Sequence, residues 1–193
     1  MSKQKQSGMT VIELMVVIAI AAILIGLAIP SMKNVLDNQK LASVNNDLIT
    51  ALAIARSEAV RQKKHVTICS SSNGSTCKTG ATGIADWTEG WIVFANTSSG
   101  NLSRDTANEP LLSVFTAPKG ISSITLSTSA GSPTLLSYRP NGTIGNIASN
   151  QQKLFTVCDN RGADNARSTL INRAGKAKAA HTGFAGDALQ CPS

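Results

Sequence analysis

Histidine is almost missing from this 193-residue chain, which holds only His65 and His181. Equally missing are a G-x-S-x-G elbow, a phosphate-cradling glycine loop and a pair of carboxylates set in an apolar pattern. A nucleophile backed by a base therefore has no candidates, and the chain reads as a non-enzyme. Metal binding fails on similar grounds. Two scattered histidines supply no ligand cluster, and neither the spacing of Cys69 and Cys77 nor the wide gap between Cys158 and Cys191 matches a zinc knuckle. No cofactor is expected. Internal repeats are absent too, and the Ser/Thr/Gly-rich stretches have the composition of loops.

Charge is scarce at the other end of the chain. From Ser7 to Pro30 the one charged side chain is Glu13, and Leu14 to Ile29 carries no polar group at all. With Met9 to Ile12 this run approaches the roughly 20 residues that span a bilayer. A secretory signal would have a shorter apolar core ending at a small-residue cleavage site, whereas the A-x-A here, Ala19 to Ala21, sits mid-run. A carboxylate near such a core costs roughly 2.5–3.5 kcal/mol on insertion scales, so Glu13 calls for a partner or a place at headgroup level.

The short basic leader with Lys3 and Lys5, then Gly8 and Met9-Thr10-Val11-Ile12-Glu13, resembles a type IV prepilin signal. The resemblance implies cleavage after Gly8 by a prepilin peptidase and methylation of the new N-terminus at Met9, which replaces the family's commonest phenylalanine. It also implies an assembly role for Glu13, fifth from the cut. The ammonium on Met9 of one subunit would attract Glu13 of the next, more strongly in a low-dielectric bundle than in water. Residues 1–8 are then a removed leader, 9–64 an N-terminal helix with its apolar half 9–30 in the inner membrane, and 65–193 a β-rich domain outside the cytoplasm.

About 130 residues remain for that domain, enough for one. The formal charge of +7 falls to +5 once Lys3 and Lys5 leave with the leader. Residues 69–150 balance at four positive and four negative side chains, whereas residues 153–178 carry six positive against Asp159 and Asp164. Four cysteines outside the cytoplasm predict disulfides, and three connectivities are open. Cys69 with Cys77, and Cys158 with Cys191 tying the C-terminal tail to a strand, is the favoured pairing.

Beyond Pro30, Leu41, Val44, Leu48, Leu52, Ala55 and Ala59 keep three-and-four spacing, so one helix is expected from Met9 to about Lys64, packed through this stripe. Gly26 and Pro30 could bend it. From His65 the pattern changes to short runs rich in Val, Ile, Thr and Phe: HVTIC, WIVFA, PLLSVFT, ISSITLST, TLLSYRP, KLFTVCD and ARSTLIN, with a turn at Pro140-Asn141-Gly142. A helix laid on an antiparallel sheet, an α+β fold, follows from this order. Trp87 and Trp91 read as core anchors.

Ala55-Arg56-Ser57-Glu58-Ala59, Val66-Thr67-Ile68-Cys69, Trp87 to Phe94, Pro140-Asn141-Gly142, Cys158-Asp159, Arg161-Gly162 and Gly175-Lys176-Ala177-Lys178 narrow the resemblance to the GspH/FimT group of minor pilins and pseudopilins. That implies a type IV pilin-like fold and a minor pilin near the pilus tip, with other minor and major pilins as partners. It would stand in the inner membrane with the bulk of the chain periplasmic, then in the extracellular pilus. A second reading is DNA capture for natural transformation, as in FimT-type members, through Arg161, Arg167, Arg173, Lys176 and Lys178. The group's motif has arginines where Lys176 and Lys178 stand, and lysine keeps the charge without the bidentate fork. Thr156 to Gly183 also lacks Phe, Tyr and Trp, so base stacking is not visible. A basic edge that discourages aggregation and a type II secretion pseudopilin are the remaining readings.

Overall fold

The three-and-four spacing does build a helix. In the computed structural model α1 spans Val11–Gln62, and its assignment runs through Gly26 and Pro30 without a break. It stops where Lys63 enters the left-handed region at φ 52°, the usual geometry of a helix C-terminus. The structure describes residues 9–78, 86–97, 104–117, 119–128, 134–145 and 152–192, with backbone alone at 27–31. Two compact units divide the chain, Met1–Asp37 and Asn38–Ser193.

In the first unit the described apolar side chains of α1 are exposed: Ile12, Met15, Ile18 and Leu24 are each more than half exposed. Among the described residues no helix is long and apolar enough to cross a membrane. The stretch expected to do so, 9–30, includes residues 27–30, whose side chains lie outside that description.

Among the described residues, the second unit places the rest of α1 against eight strands: β1 His65–Ser70, β2 Trp91–Asn96, β3 Leu111–Phe115, β4 Ile121–Thr128, β5 Leu135–Tyr138, β6 Lys153–Asp159, β7 Arg167–Ile171 and β8 Ala177–Ala180. They form two antiparallel four-stranded sheets, ordered β3-β2-β1-β5 and β4-β6-β7-β8. One sheet was the simpler expectation from sequence, and β8 was not among the candidate strands. Its AKAA sequence has none of the branched or aromatic residues that mark a strand. Pairing with β7, from Ser168 opposite Ala180 to Ile171 opposite Ala177, makes it one.

A single core joins the helix to both sheets. Leu41, Val44, Leu48 and Leu52 meet Ile68, Val93, Leu126, Leu136 and Phe155, all fully buried. Trp87 packs edge-on against Phe155 and Trp91 stacks on Phe115, so both indoles are core. The central strands β2 and β6 are buried along their whole length because each sheet is covered on its far face as well. On the first sheet that cover includes Cys77, bonded to Cys69, over Ile92 and Phe94. On the second it is the C-terminal tail, where Cys191 is bonded to Cys158 and Leu189 packs on Leu154. Each disulfide thus closes a small satellite core that a strand's outward residues would otherwise leave wet.

Candidate functional site

Gly8 lies outside the described residues. Immediately after it, Thr10 caps α1: its hydroxyl accepts from the backbone N–H of Glu13 at 3.3 Å, and its carbonyl accepts from Leu14 at 3.1 Å. Thr10-Val11-Ile12-Glu13 therefore has the T-x-x-E spacing of a capping box, with a carboxylate in the first turn where the helix dipole favours it. Sequence reasoning assigned Glu13 only to assembly, although the box is legible in the residues. Met9 and Glu13 are both exposed.

The basic C-terminal segment does not form one face. Arg161 is folded back on Asp159, with Nη2 and Nε at 2.7 and 2.9 Å from the same carboxylate oxygen, and Nη2 also donates to Asn38. Arg167 sits against His181. The β7–β8 register sets Lys178 opposite Leu170, whose side chain belongs to the cluster under the C-terminal tail. Alternation then puts Arg167, on the Thr169 and Ile171 side, on the other face of the sheet from Lys178. Lys153, first of the six positive residues, is buried in the strand ladder at 2% exposure.

Arg173 and Lys176 lie at a turn that the fold brings against a second one. The β7–β8 hairpin turns at Asn172 to Lys176, with Gly175 donating to the Asn172 carbonyl and standing at φ 75°. That turn interlocks with the one after β5: Ile144 donates to the Arg173 carbonyl at 3.3 Å, and the Tyr138 hydroxyl donates to the Gly175 carbonyl at 3.2 Å. The buried Tyr138 phenol is pushed up from its ordinary pKa, mainly by burial and against the nearby Arg56 charge. Arg139 opens the second turn and is exposed, as are Arg173 and Lys176. Arg56 reaches over from α1, its Nε donating to the Gly142 carbonyl at 3.2 Å.

Four cations from three separated segments thus converge on one pair of turns. Arg56 and Arg139 were missed because they stand outside the basic segment, 117 and 34 residues before Arg173. A usable signal existed in Arg139 standing next to the Pro140-Asn141-Gly142 turn. No group of three or more His, Cys, Asp or Glu side chains that could hold a metal occurs among the described residues. The arrangement can attract anions and offer contacts; it holds no nucleophile with a base.

Comparison with known proteins fits this geometry. The model of the prokaryotic N-terminal methylation motif matches residues 3–29, and the type II transport protein GspH family model matches residues 45–175. Two crystal structures of the type IV minor pilin FimU from Pseudomonas aeruginosa share the fold. One, in space group P65, is 22% identical with a TM-score of 0.50, covering 72% of this chain and 92% of that one. The other, in P21, is 22% identical with a TM-score of 0.53, covering 74% and 89%. No curated protein matches. A family model spanning more than half of the sequence, a methylation motif ahead of it and a helix packed on antiparallel sheets place the chain in the GspH family of pilin-like proteins.

Proposed function

We propose that the chain is a non-enzymatic minor subunit of a type IV pilus that helps to prime assembly near the tip. Processing after Gly8 and methylation of Met9 prepare the N-terminus; residues 9–30 hold the subunit in the inner membrane, with the domain in the periplasm, until it is drawn into the filament. The observation that carries this reading is the run of uncovered apolar side chains on α1 with Glu13 as its one acid. Such a surface suits lipid first and a bundle of like helices afterwards. Pairing of Glu13 with the Met9 ammonium of a neighbour sets the register. Other minor and major pilins are the partners.

Glu13 also stands in the first turn of α1, so the test must separate its charge from its effect on the helix. Glutamine can still complete the capping box but carries no charge. Glu13→Gln and Glu13→Ala are both expected to insert, lose the leader and stay out of filaments, as read by immunoblotting of sheared pili. Filaments containing Glu13→Gln at the wild-type level would overturn the pairing of Glu13 with the Met9 ammonium. The major subunit that co-purifies decides between a pilus and a type II secretion pseudopilus.

A second reading, DNA capture, is favoured by the convergence of Arg139, Arg173 and Lys176 on the interlocked turns. Three phosphate contacts would give a slope of roughly −3 in log affinity against log salt on duplex DNA. Changing these three to glutamine should abolish most of the binding, whereas Lys178→Gln, in β8 beyond the two turns, should keep it. Equal and weak binding by wild type and triple variant would make the turns a filament contact.

A further inference from the structure

A cleft of about 410 Å³ lies on the outer face of β4 and β6, beside the C-terminal tail. This lies within the roughly 300–1,000 Å³ range of small-molecule sites. Its walls are held in place at both ends of the tail. Ser168 donates its hydroxyl to the Thr182 carbonyl at 3.0 Å, and Cys191 is bonded to Cys158. Between these anchors Gly183 donates to the Asp187 carbonyl at 2.8 Å, closing a turn that stands at the rim. A cleft formed before its ligand arrives needs little ordering on binding.

Its chemistry is selective. Thr125, Ser127 and Thr156 present hydroxyls from the sheet; Leu154, Leu189 and the half-buried Phe184 supply apolar surface; Asp187 and Gln190 stand at the edge. No Lys, Arg or His lines it, although the protein carries a formal charge of +7. Phosphates, nucleic acid and acidic sugars find no counter-charge there. The floor is a sheet face, with residues Ser123 to Thr128 registered on Cys158 to Lys153; β4 is the edge strand, but its outer edge lies beside this face and not within it. An extended peptide could not add as a strand on this face. The cleft's ligand must be recognised by hydroxyls that both donate and accept, by an acceptor carboxylate, and by contact with an apolar ring face.

We infer that this cleft binds an uncharged saccharide of one or two rings, which alternates hydroxyl groups with apolar C–H faces in the same way. The site is separate from the basic turns and from Glu13, so it stands whether or not the pilus reading does. The full chain, kept in a polyoxyethylene detergent that contains no sugar, is titrated by NMR with N,N′-diacetylchitobiose and with lactose, and with 3′-sialyllactose as an anionic control. At least one neutral sugar should bind with a Kd on the order of 1 mM, and sialyllactose at least tenfold more weakly. Thr125→Val combined with Asp187→Asn keeps the shape of the cleft while removing a hydroxyl and a charge; it should weaken binding about tenfold with an unchanged melting temperature. The inference is overturned if neither neutral sugar binds at tens of millimolar, if the double variant binds as well as wild type, or if the anionic sugar binds best.

Discussion

Replacing Gly175 by alanine should destabilise the domain by about 3 kcal/mol and separate the two basic turns. Glycine at φ 75° costs nothing special, whereas an L-residue in the left-handed region costs roughly 1–2 kcal/mol. The added Cβ would also stand 2.3 Å from the Gly142 carbonyl oxygen and 2.7 Å from a ring carbon of Tyr138. Neither neighbour can give way alone. Gly142 is held by its N–H bond to Arg139 and by Arg56 on its oxygen, and Tyr138 is fully buried. Overpacking of this kind costs about 1–3 kcal/mol. Gly186 is the internal control, since it stands at φ 90° with nothing within 4 Å of an added Cβ. Gly186→Ala should therefore show only the backbone strain. Urea denaturation checks both variants, and equal losses would mean that the turns do not interlock. If the turns do carry DNA affinity, Gly175→Ala should lose it as well, with Arg139, Arg173 and Lys176 all in place.

That dependence explains why the fold was more legible in the sequence than the candidate sites. Periodicity is a local property, so the helix stripe from Leu41 to Ala59 and seven of the eight strands could be read from neighbouring residues. The strand β8 could not, because AKAA is a strand only through its pairing with β7. The split into two sheets was also hidden, since each strand carries the same alternating signal whichever sheet it joins. Charge is worse placed for sequence reading. A count of six cations over residues 153–178 treats Lys153, Arg161 and Arg167 as equivalent to Arg173 and Lys176. In the folded chain one is buried, one is paired with Asp159 and one is packed on His181. Meanwhile Arg56 enters through a long-range contact that no window of sequence contains, and Arg139 through the turn that it opens. Glu13 is the opposite case: its cap is four residues long and was there to be read.

Lys153→Met should stabilise the protein at neutral pH, by on the order of 3 kcal/mol at most. Lys153 opens β6 between Thr128 and Ile171 on the neighbouring strands and is 2% exposed. Burial penalises its ammonium form and lowers the pKa from 10.5 to about 8. The unfolded chain keeps its proton up to the ordinary value near 10.5, so between these two values it binds more protons than the folded chain. Stability must therefore rise with pH across that window, and below about pH 8 the whole penalty is present. A displacement of this size, at 1.36 kcal/mol for each decade, sets the upper figure. Tyr138 acts in the opposite direction above its ordinary pKa of 10, because the unfolded phenol ionises before the buried one does. The clean interval for measurement is thus pH 8 to 10. Wild type should gain stability over that interval, while Lys153→Met, matched in length but without a charge, should start higher and stay flat. At roughly 2–4 °C per kcal/mol for a chain of this size, the difference in melting temperature at pH 7 is readily measured. Parallel pH profiles for the two proteins would show that the Lys153 ammonium reaches solvent and that its burial costs nothing. A flat variant profile would show that the strand ladder holds a cation in a place that a methionine fills better.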